Sequence, residues 1–251
     1  MPTTQVGENK LFWARSRGEG AATILIHGAG GNHLHWPGSL RRWPKATVYA
    51  LDLPGHGRSE GNGRERIDDY AADVVDFAEA VGLERAVLVG HSMGGAIAQT
   101  IALAAPDLVQ GLVLMGTGAK LGVAPAILEG LERDFEGTTE LIARWAWGPA
   151  ANPTLVAQGQ EMMLETGPRV VLGDFVACDR FDVRDRVDGI AAPTLVLTGS
   201  EDRMTPPRFG EWLANQIPGA RFSLLEGAGH MLMLERPRWV TEAVEDFFRG
   251  F

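Results

Sequence analysis

Apolar residues along this chain fall into two alternating patterns. Short continuous runs at Thr23-Ile24-Leu25-Ile26, Thr47-Val48-Tyr49-Ala50-Leu51, 86–90, 109–115 and Pro193 to Thr198 read as strands buried on both faces. Residues 10–15 and 220–225 read as two more strands. Other stretches repeat their apolar positions at helical spacing: Ile67 to Val81 carries them at 67, 70, 71, 74, 77, 78 and 81. Helices over 93–105, 206–217 and 237–249 complete that set. Buried strands alternating with amphipathic helices predict an α/β fold, with a mostly parallel central sheet flanked by helices on both faces.

The alternation lapses between about residues 117 and 187. Pro125 to Phe135, Thr138 to Trp147, Pro153 to Glu165 and Arg169 to Phe181 read as four short helices, separated by Gly, Pro and Asn with no strand between them. A helical insertion at this point predicts a cap, residues 117–187, over the carboxyl ends of the strands, where such sheets place their sites. The core is then formed by residues 1–116 and 188–251.

One strand-to-helix junction carries candidate chemistry. Val87-Leu88-Val89 runs into Gly90-His91-Ser92-Met93-Gly94-Gly95, a G-x-S-x-G pattern between a strand and a small-residue helix. A serine on so sharp a turn needs neighbours two positions away without side chains. The turn lifts the hydroxyl clear of the sheet, beside the free N–H groups that open the next helix. Ser92 is therefore the candidate nucleophile.

A serine hydroxyl needs a base, and the base needs an orienting group. His230 follows the last strand in Glu226-Gly227-Ala228-Gly229-His230, on a glycine-rich loop that can reach a neighbouring strand tip. Asp202, in Gly199-Ser200-Glu201-Asp202-Arg203, follows the strand at 194–198 and is the candidate acid, with Glu201 its neighbour. His91 is expected to point away and support the turn, and His27 to make structural hydrogen bonds. His33, His35 and His56 read as loop residues, His35 within reach of the pocket, and Asp52 reads as structural.

Acyl transfer also needs donors for the oxyanion. The N–H of Met93 is one candidate. The second is the N–H of Ala29, in His27-Gly28-Ala29-Gly30-Gly31-Asn32, where residues without bulky side chains allow close backbone approach. The glycines there do not form a nucleotide loop: G-x-G-x-x-G, a following Lys-Ser/Thr and an acidic ribose partner are all missing.

Composition narrows the classes further. Lys and Arg number 23 against 32 Asp and Glu, a net charge of −9, with no dense basic cluster for nucleic acid. The single cysteine, Cys178, excludes an internal disulfide framework and gives no metal-ligand cluster. Mean hydropathy is −0.04, and no run approaches membrane-spanning length. With no basic-then-apolar leader at Met1-Pro2-Thr3-Thr4, a cytoplasmic monomer or homodimer is expected.

Together the His27-Gly28 loop, Asp52-x-Pro54-Gly55-x-Gly57-x-Ser59, the Ser92 turn, Glu201-Asp202-Arg203 and Gly229-His230 resemble the α/β-hydrolase superfamily over nearly the whole chain. The resemblance implies a Ser92–Asp202–His230 triad, an oxyanion hole at Ala29 and Met93, and neither cofactor nor metal. A serine at position 92 is unlike the carboxylate nucleophile of the similar haloalkane dehalogenases and epoxide hydrolases. The expected activity is hydrolysis of small to medium, largely apolar carboxylic esters. The large soft residues Trp36, Trp145, Met162, Phe175 and Met231 are candidates for an apolar pocket. An alternative on the same triad is a C–C bond or enol-lactone hydrolase of aromatic degradation. Met231 stands where the C–C hydrolases carry tryptophan after the histidine, and Arg169 or Arg180 would have to supply their cap arginine. A further alternative is a ligand receptor on this fold without turnover.

Overall fold

The computed structural model describes residues 2–250. Eight strands, β1 (Thr3–Val6), β2 (Asn9–Ser16), β3 (Ala22–Ile26), β4 (Thr47–Leu51), β5 (Ala86–His91), β6 (Val109–Met115), β7 (Thr194–Gly199) and β8 (Arg221–Leu225), form one sheet in the order β1-β2-β4-β3-β5-β6-β7-β8. β1 and β2 join antiparallel at one edge, and every pairing from β4 through β3 to β8 is parallel. Ten helices are described: α1 (Gly38–Arg41), α2 (Ile67–Ala80), α3 (Met93–Ala104), α4 (Pro125–Arg133), α5 (Phe135–Ala146), α6 (Pro153–Thr166), α7 (Pro168–Arg180), α8 (Pro207–Gln216), α9 (Leu232–Glu235) and α10 (Pro237–Phe248). No helix among the described residues is long and apolar enough to cross a membrane.

The central strands are apolar throughout because successive side chains enter opposite cores. Ile24, Ile26, Leu88, Leu112, Leu114 and Val196 pack beneath α2, α3 and α8. Their neighbours Leu25, Val87, Val89, Val113, Leu195 and Leu197 pack on the other face with α1, α9 and α10. A third cluster, including Ile127, Leu131, Ile142, Met163 and Phe175, lies among the four helices α4–α7 that follow β6.

Three short elements escape the periodicity. β1 buries only Val6 and exists by pairing with β2, while α1 and α9 are too short to show a helical repeat. α5 starts at Phe135, three residues before the pattern suggests, because the Asp134 carboxylate caps it by accepting from the Gly137 N–H at 3.0 Å.

Register brings the strand ends together. Gly90 lies opposite both Ile26 and Leu114, Met115 opposite Leu197, and Gly199 opposite Leu225. The loops leaving β3, β5, β6, β7 and β8 therefore emerge along one edge of the sheet. Ala29, Ser92, Asp202 and His230 all ride on those loops.

Candidate active site

The turn at Ser92 is enforced by its neighbours. Ser92 has φ 53° and ψ −116°, the one positive φ among non-glycine residues described. A Cβ at Gly90 would collide with the Gly94 carbonyl, and one at Gly94 with the Ile26 carbonyl and, at 2.7 Å, with the His27 oxygen. The conformation is held by the Ser92 N–H donating to Met115 O at 2.9 Å and by Thr117 Oγ1 donating to Ser92 O at 2.9 Å. Met93 opens α3 directly after it.

His230 and Asp202 form a buried pair. His230 Nδ1 donates to Asp202 Oδ2 at 2.9 Å. The same oxygen accepts from Thr205 Oγ1 at 2.8 Å, and Asp202 Oδ1 accepts from the Met204 and Thr205 N–H groups at 2.9 and 2.8 Å. Four donors thus converge on one carboxylate and fix its orientation. With the proton on Nδ1, Nε2 of the neutral ring is free to accept one. Glu201, the neighbouring carboxylate, is exposed.

The His230 carbonyl is held by His91, which is held in turn by His35. His91 Nε2 donates to His230 O at 2.9 Å, so its Nδ1 accepts from His35 Nε2 at 2.9 Å. That chain needs the His91 ring neutral, since its Nδ1 accepts. Burial lowers the pKa of His35 to about 3 and pushes that of His91 well below its ordinary value, with the neighbouring histidines adding to both effects. His91 thus supports the His230 loop, its ring 4.6 Å from that of His230, and it lines the same cavity as Ser92. His35 is buried and its ring takes part in this relay, so it is not a free loop side chain.

The loop after β3 is pinned plane by plane. The Gly28 carbonyl accepts from His27 Nδ1 at 2.8 Å and from the Gly31 N–H at 3.1 Å. In a trans peptide plane the N–H points opposite the carbonyl, so the Ala29 N–H faces away from those donors. Asp174 Oδ2, on α7, accepts from the Gly30 N–H at 2.8 Å, and Thr166 Oγ1, at the end of α6, shares its proton between Met162 O at 2.9 Å and Gly30 O at 3.1 Å. Gly30 itself has φ 64° and sits against Met163 and Val171, which leave no room for a Cβ.

His56 and His33 lie in the loops expected of them, but each is tied into a hydrogen-bond network. His56 is fully buried and donates from both ring nitrogens, to Pro54 O at 3.0 Å and to Asp174 Oδ2 at 2.8 Å. Burial alone would lower its pKa, but the Asp174 carboxylate outweighs that and raises it. His33 donates from Nδ1 and from its N–H to Asp52 Oδ1, while Arg58 N–H donates to Asp52 Oδ2. Asp52 is thereby occupied in holding the turn that follows β4. His27, whose Nε2 accepts from the Leu53 N–H at 3.1 Å, is equally structural, and burial lowers its pKa to about 4.

Ser92, His230, Ala29 and His35 open on one cavity of about 600 Å³. Trp145, Met162, Phe175 and Met231 line it too. Trp36 does not: its indole is fully buried in the core beneath the sheet, with Leu40 and Trp43. Segment polarity could not separate those two fates. Arg203 is the one cation among the described lining residues, against the exposed carboxylates Glu161 and Glu165. Arg169 lies outside the cavity, and Arg180 reaches instead to Glu65.

Two polar residues went unnoticed in the sequence. Asp174 is fully buried and also accepts from Tyr70 Oη at 2.5 Å. Its signal was its place in the apolar stripe 170, 171, 174, 175, 178 of α7, where a solvated charge does not belong. Glu235 accepts from the Gly229 N–H at 3.0 Å and the Gly148 N–H at 3.1 Å, tying the base's loop to the end of α5. Nothing local announces that contact.

Comparison with known proteins gives one family. Residues 23–243 match the alpha/beta hydrolase family. The chain is 28% identical to a pimeloyl-[acyl-carrier protein] methyl ester esterase of Pectobacterium carotovorum, covering 94% of this chain and 98% of that protein. It is 29% identical to a 2-hydroxy-6-oxo-6-phenylhexa-2,4-dienoate hydrolase of Comamonas testosteroni, over 95% and 91% of the two chains. Among solved structures, a thermophilic esterase superposes with a TM-score of 0.88 at 33% identity, covering 99% of this chain and 97% of that one.

Proposed function

The chain belongs to the alpha/beta hydrolase family and is a hydrolase, and on that premise we propose that it is a serine esterase of small to medium, largely apolar carboxylic esters. The observation that carries this reading is His230, held by buried Asp202, facing the same cavity as a serine held at positive φ. Ser92 Oγ attacks the ester carbonyl while His230 Nε2 takes its proton. Asp202 keeps the ring in the Nδ1-protonated form and stabilises the imidazolium that results. The negative oxygen is met by the N–H groups of Met93 and Ala29. Met93 is the first residue of its helix, and the Ala29 N–H is turned away from the donors to Gly28 O. Collapse of the intermediate expels the alcohol, protonated by His230, and leaves an acyl group on Ser92. A water activated by His230 then releases the acid.

The helices α4–α7 act as the cap, residues 117–187, and supply Trp145, Met162 and Phe175 to the apolar wall. A dienoate of the kind named for the Comamonas relative is a second reading on the same triad. The lining argues against it, since its exposed carboxylates outnumber its one guanidinium and neither Arg169 nor Arg180 faces the cavity. The test is labelling with a fluorophosphonate followed by turnover of a p-nitrophenyl ester series. The label is expected on Ser92, with kcat/KM rising with acyl length until the cavity is filled. Label elsewhere, or a turnover number of zero on every ester, overturns the reading.

A further inference from the structure

The loop after β3 is held on one side by the core, through Gly28 O, and on the other by the helical insertion, through Gly30. Gly30 has its N–H held by Asp174 at 2.8 Å and its carbonyl by Thr166 at 3.1 Å, both on the inserted helices. Asp174 also collects His56 Nε2 at 2.8 Å and Tyr70 Oη at 2.5 Å, from the segments after β4 and in α2. One buried carboxylate thus joins α7 to three separate pieces of the core. A stability role alone explains this poorly, because a buried ion pair is often replaceable by apolar packing without loss. Val170, Val171 and Phe175 already pack α7 in place.

What the carboxylate fixes is direction. The Gly30 N–H belongs to the peptide plane that follows Ala29, and the Ala29 N–H to the plane before it. Holding both Gly28 O and Gly30 N leaves the torsions of Ala29 no freedom. A donor misaligned by a fraction of an ångström stabilises an oxyanion poorly, whereas ground-state binding by the apolar wall is little affected.

We propose that Asp174 is a positioning residue for catalysis: from the inserted helix α7 it holds the Gly30 N–H, aims the Ala29 N–H at the oxyanion, and makes the oxyanion hole depend on the seating of the insertion. This rests on the esterase reading with Ala29 as a donor. It assigns α7 to the chemistry, and leaves entry and exit of substrate to segments of the insertion not tied to Gly30.

The test compares Asp174→Ala and Asp174→Asn with the unaltered protein, each counted by fluorophosphonate titration of Ser92 so that only folded sites enter kcat. Steady-state hydrolysis of a p-nitrophenyl ester is measured beside inhibition by an alkyl trifluoromethyl ketone, whose adduct carries an oxyanion. Asp174→Ala is expected to lower kcat by roughly a hundredfold, the size of a lost oxyanion donor. KM should stay within about threefold, and affinity for the ketone should fall in parallel with kcat. Asp174→Asn keeps an oxygen acceptor for the Gly30 N–H and is expected to recover most of the loss. A purely structural Asp174 would instead lower the melting temperature and the titratable fraction, with kcat per site and ketone affinity unchanged; that result overturns the proposal. If Asp174→Ala yields no folded protein, Asp174→Asn decides through its pH profile and ketone affinity. A partial fall in kcat and ketone affinity together at constant KM supports the proposal, and both unchanged beside a lowered melting temperature reject it. Failure of the unaltered protein to label at Ser92 strikes the esterase reading itself, whereas labelling with normal turnover in the Asp174 variants strikes only the positioning role.

Discussion

Asp202 shows how one side chain serves a neighbour. Its four accepted bonds hold it still, so the N–H at His230 Nδ1 has a fixed acceptor. Replacing Asp202 by Asn offers the ring an N–H where it needs an acceptor and favours the wrong tautomer. A fall in kcat of about 10⁴-fold is expected, with the fold retained by circular dichroism. Ser92→Ala should cost at least as much on p-nitrophenyl esters, and an activity above one per cent of the unaltered enzyme, about a hundredfold loss or less, would exclude Ser92 as nucleophile. These proposed roles are legible in the sequence because motif and strand order both point at them. Asp174 is not, since a carboxylate in a helical stripe has meaning only once its partners at positions 30, 56 and 70 are adjacent.

At the scale of elements, the decisive contact is the crossing of α3 over the end of β3. Gly94 packs its Cα against the Ile26 and His27 carbonyls, and no side chain of any size fits there. Gly94→Ala must lift α3 from the sheet or bend the turn at Ser92. A destabilisation of about 2–4 kcal/mol is expected in urea unfolding, with loss of activity exceeding the loss of folded protein. The inserted helices are joined to the site at two places, through Asp174 and Thr166 to the oxyanion loop and through Glu235 to the loop of the base. Glu235→Ala leaves the Gly148 and Gly229 N–H groups without this acceptor. It should cost about 1–3 kcal/mol and disturb hydrolysis through His230. The helices themselves follow from periodicity; their attachment does not, because polar contacts across distant loops leave no local repeat.

For the molecule as a whole, buried histidines set the response to pH. In an unfolded chain their rings take up protons near pH 6.5, whereas in the fold His27 does so only at about 4 and His35 at about 3, and His91 is displaced in the same direction. Between these values the unfolded chain binds more protons, so stability falls as pH drops below about 6.5, by roughly 1 kcal/mol per pH unit for each ring. His56 works in the opposite sense. Its raised pKa lets the fold keep a proton that the unfolded chain loses, and that contribution disappears as pH rises through the folded value. Melting temperature against pH is therefore expected to peak near neutrality with a steep acid limb. His35→Gln should flatten that limb, and an unchanged slope would exclude His35 as a contributor.

The sequence by itself determined the sheet, its flanking helices, the strained turn at Ser92 and the order of its candidate partners, because each depends on residues close together in the chain. Periodicity records burial, and glycine records where backbone must pass. Tertiary structure alone decided that Trp36 lies in the core and Trp145 at the cavity, that His35 and His56 are buried parts of polar networks, and that the oxyanion loop is held from the inserted helices. Those outcomes turn on which faces meet across long stretches of chain, for instance His35 with His91 and Gly30 with Asp174, and no local pattern encodes such a meeting.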